Sequence, residues 1–125
     1  MDIGMDRLVN FLLVGLGGAA GSMLRYGVTL LGQTLNLSGN AATFTVNILG
    51  SFLIGLISGC CGKETLLLLF TVGLCGGFTT FSTFSIQNVR MLQEGRIGMA
   101  AAYILSTVTV CIIMAWLGYR LGQSR

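Results

Sequence analysis

The chain has 125 residues, a net charge of +3 and few charged side chains for its length. Hydrophobic residues make up 54% and charged residues 9%, and the mean hydropathy is +0.85, whereas a soluble domain carries about a quarter charged residues. The charge is too small and too scattered to indicate nucleic-acid binding. The sequence predicts no enzyme, because it has no histidine and no buried acid to serve as a general base. Its four cysteines show neither metal-ligand nor redox spacing and are interpreted as small packing residues: Cys60, Cys61, Cys75 and Cys111.

Four long apolar runs alternate with short polar connections. Each run is close to the roughly 20 residues that cross a bilayer as a helix. We predict an all-α integral membrane protein, a single domain over residues 1–125 with spans at about 8–31, 41–60, 65–90 and 97–120. The first run is too long for a signal peptide, so we expect it to be retained. The spans leave no residues for an extramembrane domain, so we expect the functional site inside the membrane.

Lysine and arginine are divided almost evenly between the two sides that this topology defines. One side carries Arg7, Lys63, Arg120 and Arg125, and the other carries Arg25, Arg90 and Arg96. An excess of basic residues in the cytoplasmic loops normally sets orientation, and a four-to-three division gives almost no excess. Our hypothesis is that the chain inserts in both orientations and forms an antiparallel homodimer. Four helices alone hardly enclose a water-lined path, which also favours a dimer.

Polar residues inside a span are costly, so each one needs an explanation. Thr43, Asn47 and Ser51 recur every four residues and share one face of the second span. They either form interhelical hydrogen bonds or line a pore, where the Asn47 amide offers two donors. Arg25, late in the first span, is expected to snorkel to the interface, although it could also shape an anion's approach electrostatically.

The third span contains an unusual run, GLCGGFTTFSTFS, between Gly73 and Ser85. The adjacent Gly76 and Gly77 weaken a helix, and the hydroxyls after them can satisfy backbone groups that a break would free. We therefore predict that the third helix is broken at mid-span. Irregular backbone at this depth is tolerated only when it is buried in protein or lines a cavity, and its carbonyls are suitable ligands for a small cation.

Three phenylalanines, Phe78, Phe81 and Phe84, recur at intervals of three in the same run, so two or three rings share a face. Such stripes more often serve packing than function. Beside a hydroxyl run and a helix break, however, their electropositive ring edges could stabilise an anion without a formal charge.

The sequence resembles the Fluc (CrcB) family of fluoride channels. The resemblance rests on GGAAGSMLRY from Gly17 to Tyr26, on NILG from Asn47 to Gly50, and on GLCGGFTTFSTF from Gly73 to Phe84. It implies a multi-pass protein of the bacterial cell (inner) membrane that works as an antiparallel homodimer with two pores. It further implies passive export of fluoride down its electrochemical gradient, which would protect the cell from fluoride toxicity.

The resemblance also assigns roles to particular residues. It implies a fluoride path lined by Asn47, Phe81 and Phe84, with further contacts from Thr43, Ser82 and Thr83. In the fourth span, Cys111 and Ala115 stand where pore hydroxyls are expected, with Ser106, Thr107 and Thr109 nearby.

Near the break, the resemblance implies a structural sodium ion that is not transported. Its ligands would be the backbone carbonyls of Gly76 and Thr79. Arg25 and Gly77 are expected to have structural or electrostatic roles beside it.

Two alternative interpretations stay open. A small multidrug-type exporter is also a four-span dual-topology dimer, but proton-coupled export needs a carboxylate within a span. Asp2, Asp6, Glu64 and Glu94 all lie at span ends. A scaffold subunit would need only glycine-rich helix packing, which leaves the third-span run and the polar stripe without a purpose.

Overall fold

A computed structural model describes residues 3–124, which are helical apart from short connections and include no strand. The elements are α1 (Ile3–Thr34), α2 (Gly39–Cys60), α3 (Glu64–Leu67), a π-helical segment (Leu68–Cys75), α4 (Gly76–Phe78), α5 (Phe81–Gln93) and α6 (Ile97–Gln123). Four helical stretches are long and apolar enough to cross a membrane: Gly4–Thr34, Gly39–Cys60, Glu64–Gln93 and Ile97–Gln123. The prediction of an all-α protein with four candidate membrane spans is confirmed. Asp2 and Arg125, which entered the charge comparisons, lie outside the described residues.

Local sequence signals set the ends of the helices. After α1, Asn36 has a φ of 60°, and the Leu37 N–H donates to the Gly32 carbonyl over 2.8 Å. This is a Schellman ending, in which a left-handed residue reverses the chain and satisfies the last carbonyls. Gly95, with a φ of 77°, ends α5 in the same way. The Ser38 hydroxyl caps α2 by accepting a hydrogen bond from a first-turn amide.

Helix α1 packs along the π-helical segment and α4 with its backbone in direct contact. A Cβ added at Gly17 would overlap the Leu69 carbonyl oxygen, and one added at Gly21 would overlap the Leu74 carbonyl oxygen. Small residues permit this close approach, which maximises packing between helices that lie in lipid. The first half of the third span is therefore fixed against α1.

Helices α2 and α6 form the most extensive pair in the fold by the same means. A Cβ at Gly55 would overlap the Ala115 carbonyl oxygen, and one at Gly118 would overlap the Phe52 carbonyl oxygen. The glycines thus alternate between the two helices along one interface. The α2–α6 pair forms the wall against which the rest of the third span is placed.

Between α4 and α5 the backbone at two residues is extended. Thr79 has φ −84° and ψ 160°, and Thr80 has φ −148° and ψ 117°. Gly76 and Gly77, in contrast, are helical members of α4. We refer to Thr79 and Thr80 as the extended pair. Helix α5 then packs on α6 and α2 through side chains and leaves a space beside the extended pair.

Candidate functional site

A cavity of about 430 Å³ lies between α2, α6 and the extended pair. It is partly open on one side of the single chain, and no charged side chain contributes to its lining within residues 3–124. Five of the residues expected at the site line it together: Asn47, Gly76, Thr79, Phe81 and Phe84. The cavity is therefore the place where the polar stripe of the second span meets the third-span run.

Asn47 holds the extended pair in position. Its Oδ1 accepts from the Thr80 N–H over 2.8 Å, and its Nδ2 donates to the Thr80 carbonyl over 3.1 Å. The side-chain amide thus replaces the helical partners that Thr80 lacks, and two part-buried backbone groups are satisfied. One of the two Nδ2 hydrogens is used in this way, so Asn47 has a single donor left for a ligand rather than the two expected from the sequence.

Two carbonyls near the extended pair have lost their helical donors. In an α-helix the Gly76 carbonyl would accept from the Thr80 N–H, and the Thr79 carbonyl from the Thr83 N–H. The Thr80 N–H instead binds Asn47 Oδ1, and the Thr83 N–H binds Thr80 Oγ1 over 3.2 Å. The two carbonyls expected to face a cation are therefore the ones whose usual donors are engaged elsewhere.

The three phenylalanines do not share one face. Phe81 and Phe84 are neighbours, with ring centroids 5.6 Å apart and planes inclined by 48°. Phe78 is buried on the other side of the extended pair, which breaks the helical register between it and Phe81. Phe84 also packs on Tyr103 at a centroid distance of 5.0 Å. The cavity thus has two rings in its wall, one enclosed and one 77% exposed.

A closed polar network lies beyond Phe84 and was not found from the sequence. The Gln87 Nε2 donates to Thr43 Oγ1 over 2.9 Å, and the Tyr103 hydroxyl donates to Gln87 Oε1 over 2.7 Å. Gln87 follows Phe84 by three residues and so shares its face of α5. That spacing is the signal that could have revealed it.

Thr43, Ser82 and Thr83, which were expected as further pore contacts, do not line the cavity of the single chain, and their role in a pore stays a prediction. Thr43 is buried and bonded to Gln87, away from the cavity. Thr83 accepts a bond from Thr80 Oγ1 over 3.1 Å, and Ser82 lies 3.4 Å from the same oxygen. The latter two hydroxyls therefore lie beside the N-cap of α5, where Thr80 Oγ1 accepts from the Thr83 N–H.

Arg25 does not simply extend to the membrane interface, as the sequence analysis favoured. Its Nε donates to the Gly77 carbonyl over 3.0 Å, and the side chain is half-buried. The arginine therefore ties α1 to α4 immediately before the extended pair. A hydrogen bond that involves a charged donor is about twice as strong as a neutral one.

The fourth span contributes Thr107 and Cys111 to the cavity. Thr107 is 7% exposed, and its Oγ1 has no hydrogen-bond partner among the described residues. Ala115, one turn further, packs against Gly55 instead, while Ser106 and Thr109 are exposed. The four-residue spacing of Thr107 and Cys111 could have predicted that they share a face of α6. The nearby hydroxyls of Ser106 and Thr109 made that spacing less evident.

Comparison with known proteins places these features in a family. Residues 12–119 match the family described as CrcB-like protein, Camphor Resistance (CrcB). The chain belongs to the CrcB family. A relative from Methylobacillus flagellatus is 46% identical over 124 residues, which are 91% of this chain and 94% of the relative. A Thermus thermophilus relative is 46% identical over 90% of this chain and 94% of its own length.

The names of the CrcB relatives describe transport. Both proteins are called fluoride-specific ion channel FluC. A Listeria monocytogenes relative called fluoride-specific ion channel FluC 1 is 43% identical over 92% of this chain and 98% of its own length. Membership of this family identifies the chain as a transport protein rather than an enzyme. The four candidate spans and the bacterial relatives further identify it as a multi-pass protein of the bacterial cell membrane.

Proposed function

We propose that the chain forms a fluoride-selective channel through which fluoride leaves the cell passively. The observation that carries this proposal is the uncharged cavity, in which amide, hydroxyl and ring-edge donors meet at the extended pair. The three relatives named as fluoride-specific channels support the same ion. The extended pair serves in this proposal as the break of the third span.

The lining suits a small anion that must be both bound and released. Fluoride is tightly hydrated, so a path through lipid has to replace its water with hydrogen-bond donors. The remaining Asn47 N–H and the Thr107 hydroxyl are such donors, and the edges of Phe81 and Phe84 are electropositive. Conduction requires binding weak enough for exit, which these neutral groups provide better than a buried lysine or arginine would.

A second copy of the chain completes the site in this proposal. Phe81 is 77% exposed although it lines the cavity, and Gly76 is also exposed. A partner packed on this face would cover both and close the open side of the cavity. An antiparallel pair would then contain two equivalent pores. Tags at the C-terminus should be accessible from both sides of the membrane, and tags found on one side alone would contradict this arrangement.

A structural sodium ion fits the donor set near the extended pair. Hard cations prefer oxygen ligands, and carbonyls of unwound helices hold sodium in other transporters. The carbonyls of Gly76 and Thr79, whose helical donors are engaged elsewhere, would hold it. When bound, the ion would supply a fixed positive charge that stabilises the interruption of the helix.

In this proposal fluoride leaves down its electrochemical gradient, so export requires no ATP hydrolysis. Hydrogen fluoride enters from acidic surroundings and dissociates inside, which traps fluoride in the cell. The negative interior favours exit by roughly 2.3 kcal/mol per 100 mV. The cavity therefore needs to conduct rather than to pump.

Fluoride efflux from liposomes tests the function directly. We expect purified protein to release loaded fluoride rapidly, measured with a fluoride electrode, while chloride is retained. Phe81→Ile should slow efflux strongly, because the electropositive ring edge is lost. Phe11→Ile is the matched control, since Phe11 on α1 is 78% exposed and does not line the cavity.

Equal efflux in the two phenylalanine variants would contradict the assigned path. No fluoride release from folded dimers in sodium-containing buffer would contradict the function itself and would favour the scaffold interpretation.

A further inference from the structure

We propose that the cavity is also a binding site for one soft monovalent cation, such as silver(I) or copper(I), held between Cys75 and Cys111. The two cysteines come from different spans, the π-helical segment and α6, yet both line the same cavity. Nothing in the proposed conduction of fluoride uses either thiol. The inference therefore goes beyond the proposed function, and only its effect on efflux rests on it.

The chemistry of the lining selects this class of metal. Thiolate sulfur is a soft ligand that prefers copper(I) over hard cations. The described residues hold no group of three or more histidine, cysteine or acidic side chains that would suit zinc. Two sulfur ligands are enough for a monovalent soft cation of linear coordination. Neither cysteine forms a disulfide; Cys75 is buried and Cys111 is half-buried.

The Thr107 hydroxyl, which the proposed function already assigns to the fluoride path, shares the cavity with the two cysteines. The Thr107 side chain is more than nine-tenths buried, lines the cavity one helical turn before Cys111, and leaves Oγ1 without a partner among the described residues. A buried polar atom without a hydrogen bond costs about 1–3 kcal/mol. A water molecule that accompanies the cation would relieve that cost by accepting a hydrogen bond from the Thr107 hydroxyl.

The binding step balances without a further reactant. The cation displaces the proton of one thiol, which passes to solvent, and the sulfur lone pair of the second thiol completes the coordination. The complex of one cation, one thiolate and one thiol is neutral overall. Neutrality matters because the lining is largely apolar, and an uncompensated buried charge is strongly unfavourable. One proton is therefore released for each cation that binds.

The other two cysteines offer the matched control. Cys60 and Cys61 lie at the end of α2, outside the cavity. They are adjacent thiols that would bind silver on their own account, so the test begins with the variant Cys60→Ser/Cys61→Ser. In this background we expect about one silver ion per chain by equilibrium dialysis of purified protein in nitrate buffer.

Single substitutions in that background decide the question. Cys75→Ser and Cys111→Ser should each abolish tight binding, because a site with two sulfur ligands fails when either is lost. Serine preserves the size of both side chains, and unchanged elution of each variant as folded protein controls for misfolding. Silver retained by either single variant with unchanged affinity would overturn the shared site.

Efflux in the presence of silver separates this inference from the proposed function. We expect bound silver to reduce fluoride release to the rate of protein-free liposomes in the Cys60→Ser/Cys61→Ser background. In Cys111→Ser the same treatment should change efflux far less, each rate being compared with that of the same variant before silver is added. Silver that binds without reducing efflux would show that fluoride does not pass through the cavity. The silver site itself would still be supported. Absent efflux before silver is added would refute the channel and leave the metal site intact.

Discussion

At the α2–α6 interface backbones touch, whereas around the cavity side chains hold the backbones apart. Gly55 and Gly118 have no space for a methyl group, because carbonyl oxygens of the facing helix occupy it. Around the extended pair, the Asn47 amide and two aromatic rings stand between the helices and leave a cavity of about 430 Å³. Close backbone contact holds the helices together in lipid. Apolar side chains gain little there by moving from lipid tails to another helix, because both surroundings are apolar.

The difference shows how a small protein can keep a cavity with a few polar groups between helices that span a membrane. A third-span segment without helical hydrogen bonds is tolerated only when other groups satisfy its backbone. Asn47 does so from α2, which is itself fixed to α6 by glycine contacts. The rigid interface therefore positions the side chain that stabilises the irregular backbone, and a defect in either region should have a different consequence.

The largest expected effect is at the glycine interface. Gly118→Ala should destabilise the fold by about 2–3 kcal/mol, because the added methyl group overlaps the Phe52 carbonyl oxygen. Gly27→Ala is the control, since a Cβ there meets nothing within 4 Å. It should stabilise α1 by about 0.5–1 kcal/mol, because alanine loses less conformational entropy than glycine in a helix interior. Thermal unfolding followed by size-exclusion chromatography measures both. Equal shifts in the two variants would contradict the backbone contact.

The next effect is at the cavity and concerns function more than fold. Asn47→Leu leaves the part-buried Thr80 N–H and carbonyl without partners, at about 1 kcal/mol for each hydrogen bond lost. We expect fluoride efflux to fall to background in liposomes. Thr45→Val on the exposed side of α2 is the control, because its hydroxyl bonds only to the Ala41 carbonyl of the same helix. Unchanged efflux in Asn47→Leu would remove the extended pair from the conduction path.

Asn47→Asp separates the two roles of the same side chain. The carboxylate keeps an acceptor for the Thr80 N–H but loses every donor. If Asn47 serves only to hold Thr80, part of the efflux should survive in this variant. We expect none to survive in folded protein, because the remaining amide hydrogen is among the few donors in the cavity and a negative charge repels fluoride.

The fold was predictable from the sequence to the extent that local patterns determine it. Apolar runs longer than about 20 residues predict spans whatever their tertiary contacts. The four-residue spacing of Thr43, Asn47 and Ser51 correctly placed these residues on one face of α2, but it could not tell what each would meet. Thr43 bonds Gln87, 44 positions away, and Asn47 bonds Thr80, 33 positions away. Partners at such separations depend on how helices pack.

Two of the three phenylalanines that were expected to share a face do so, and Phe78 is separated from them for a local reason. A spacing of three puts Phe78, Phe81 and Phe84 on one helical face only while the backbone stays helical. The extended conformation of Thr79 and Thr80 changes the direction of the chain, so Phe78 is buried apart from the other rings. The glycines drew attention to the correct run, yet the residues that leave the helical conformation are the threonines after them.

The smallest expected effect lies where the two regions join. The Arg25 Nε donates to the Gly77 carbonyl, which links α1 to the segment just before the extended pair. Arg25→Lys keeps the charge but not this planar donor, and Arg25→Gln loses both. We expect both variants to lose about 1 kcal/mol of stability and to slow efflux by a similar few-fold factor, because both lose the hydrogen bond.

The comparison of these two variants decides what Arg25 contributes. If the positive charge steers fluoride toward the cavity, efflux should fall in Arg25→Gln and survive in Arg25→Lys, and the fall should weaken at high salt. Arg90→Gln, an exposed arginine on α5, controls for the general loss of a charge. Equal slowing in both Arg25 variants, insensitive to salt and absent in the control, would assign Arg25 to the support of Gly77. In that case Arg25 stabilises the packing of α1 on α4 and does not act on fluoride, although it lies close to the extended pair.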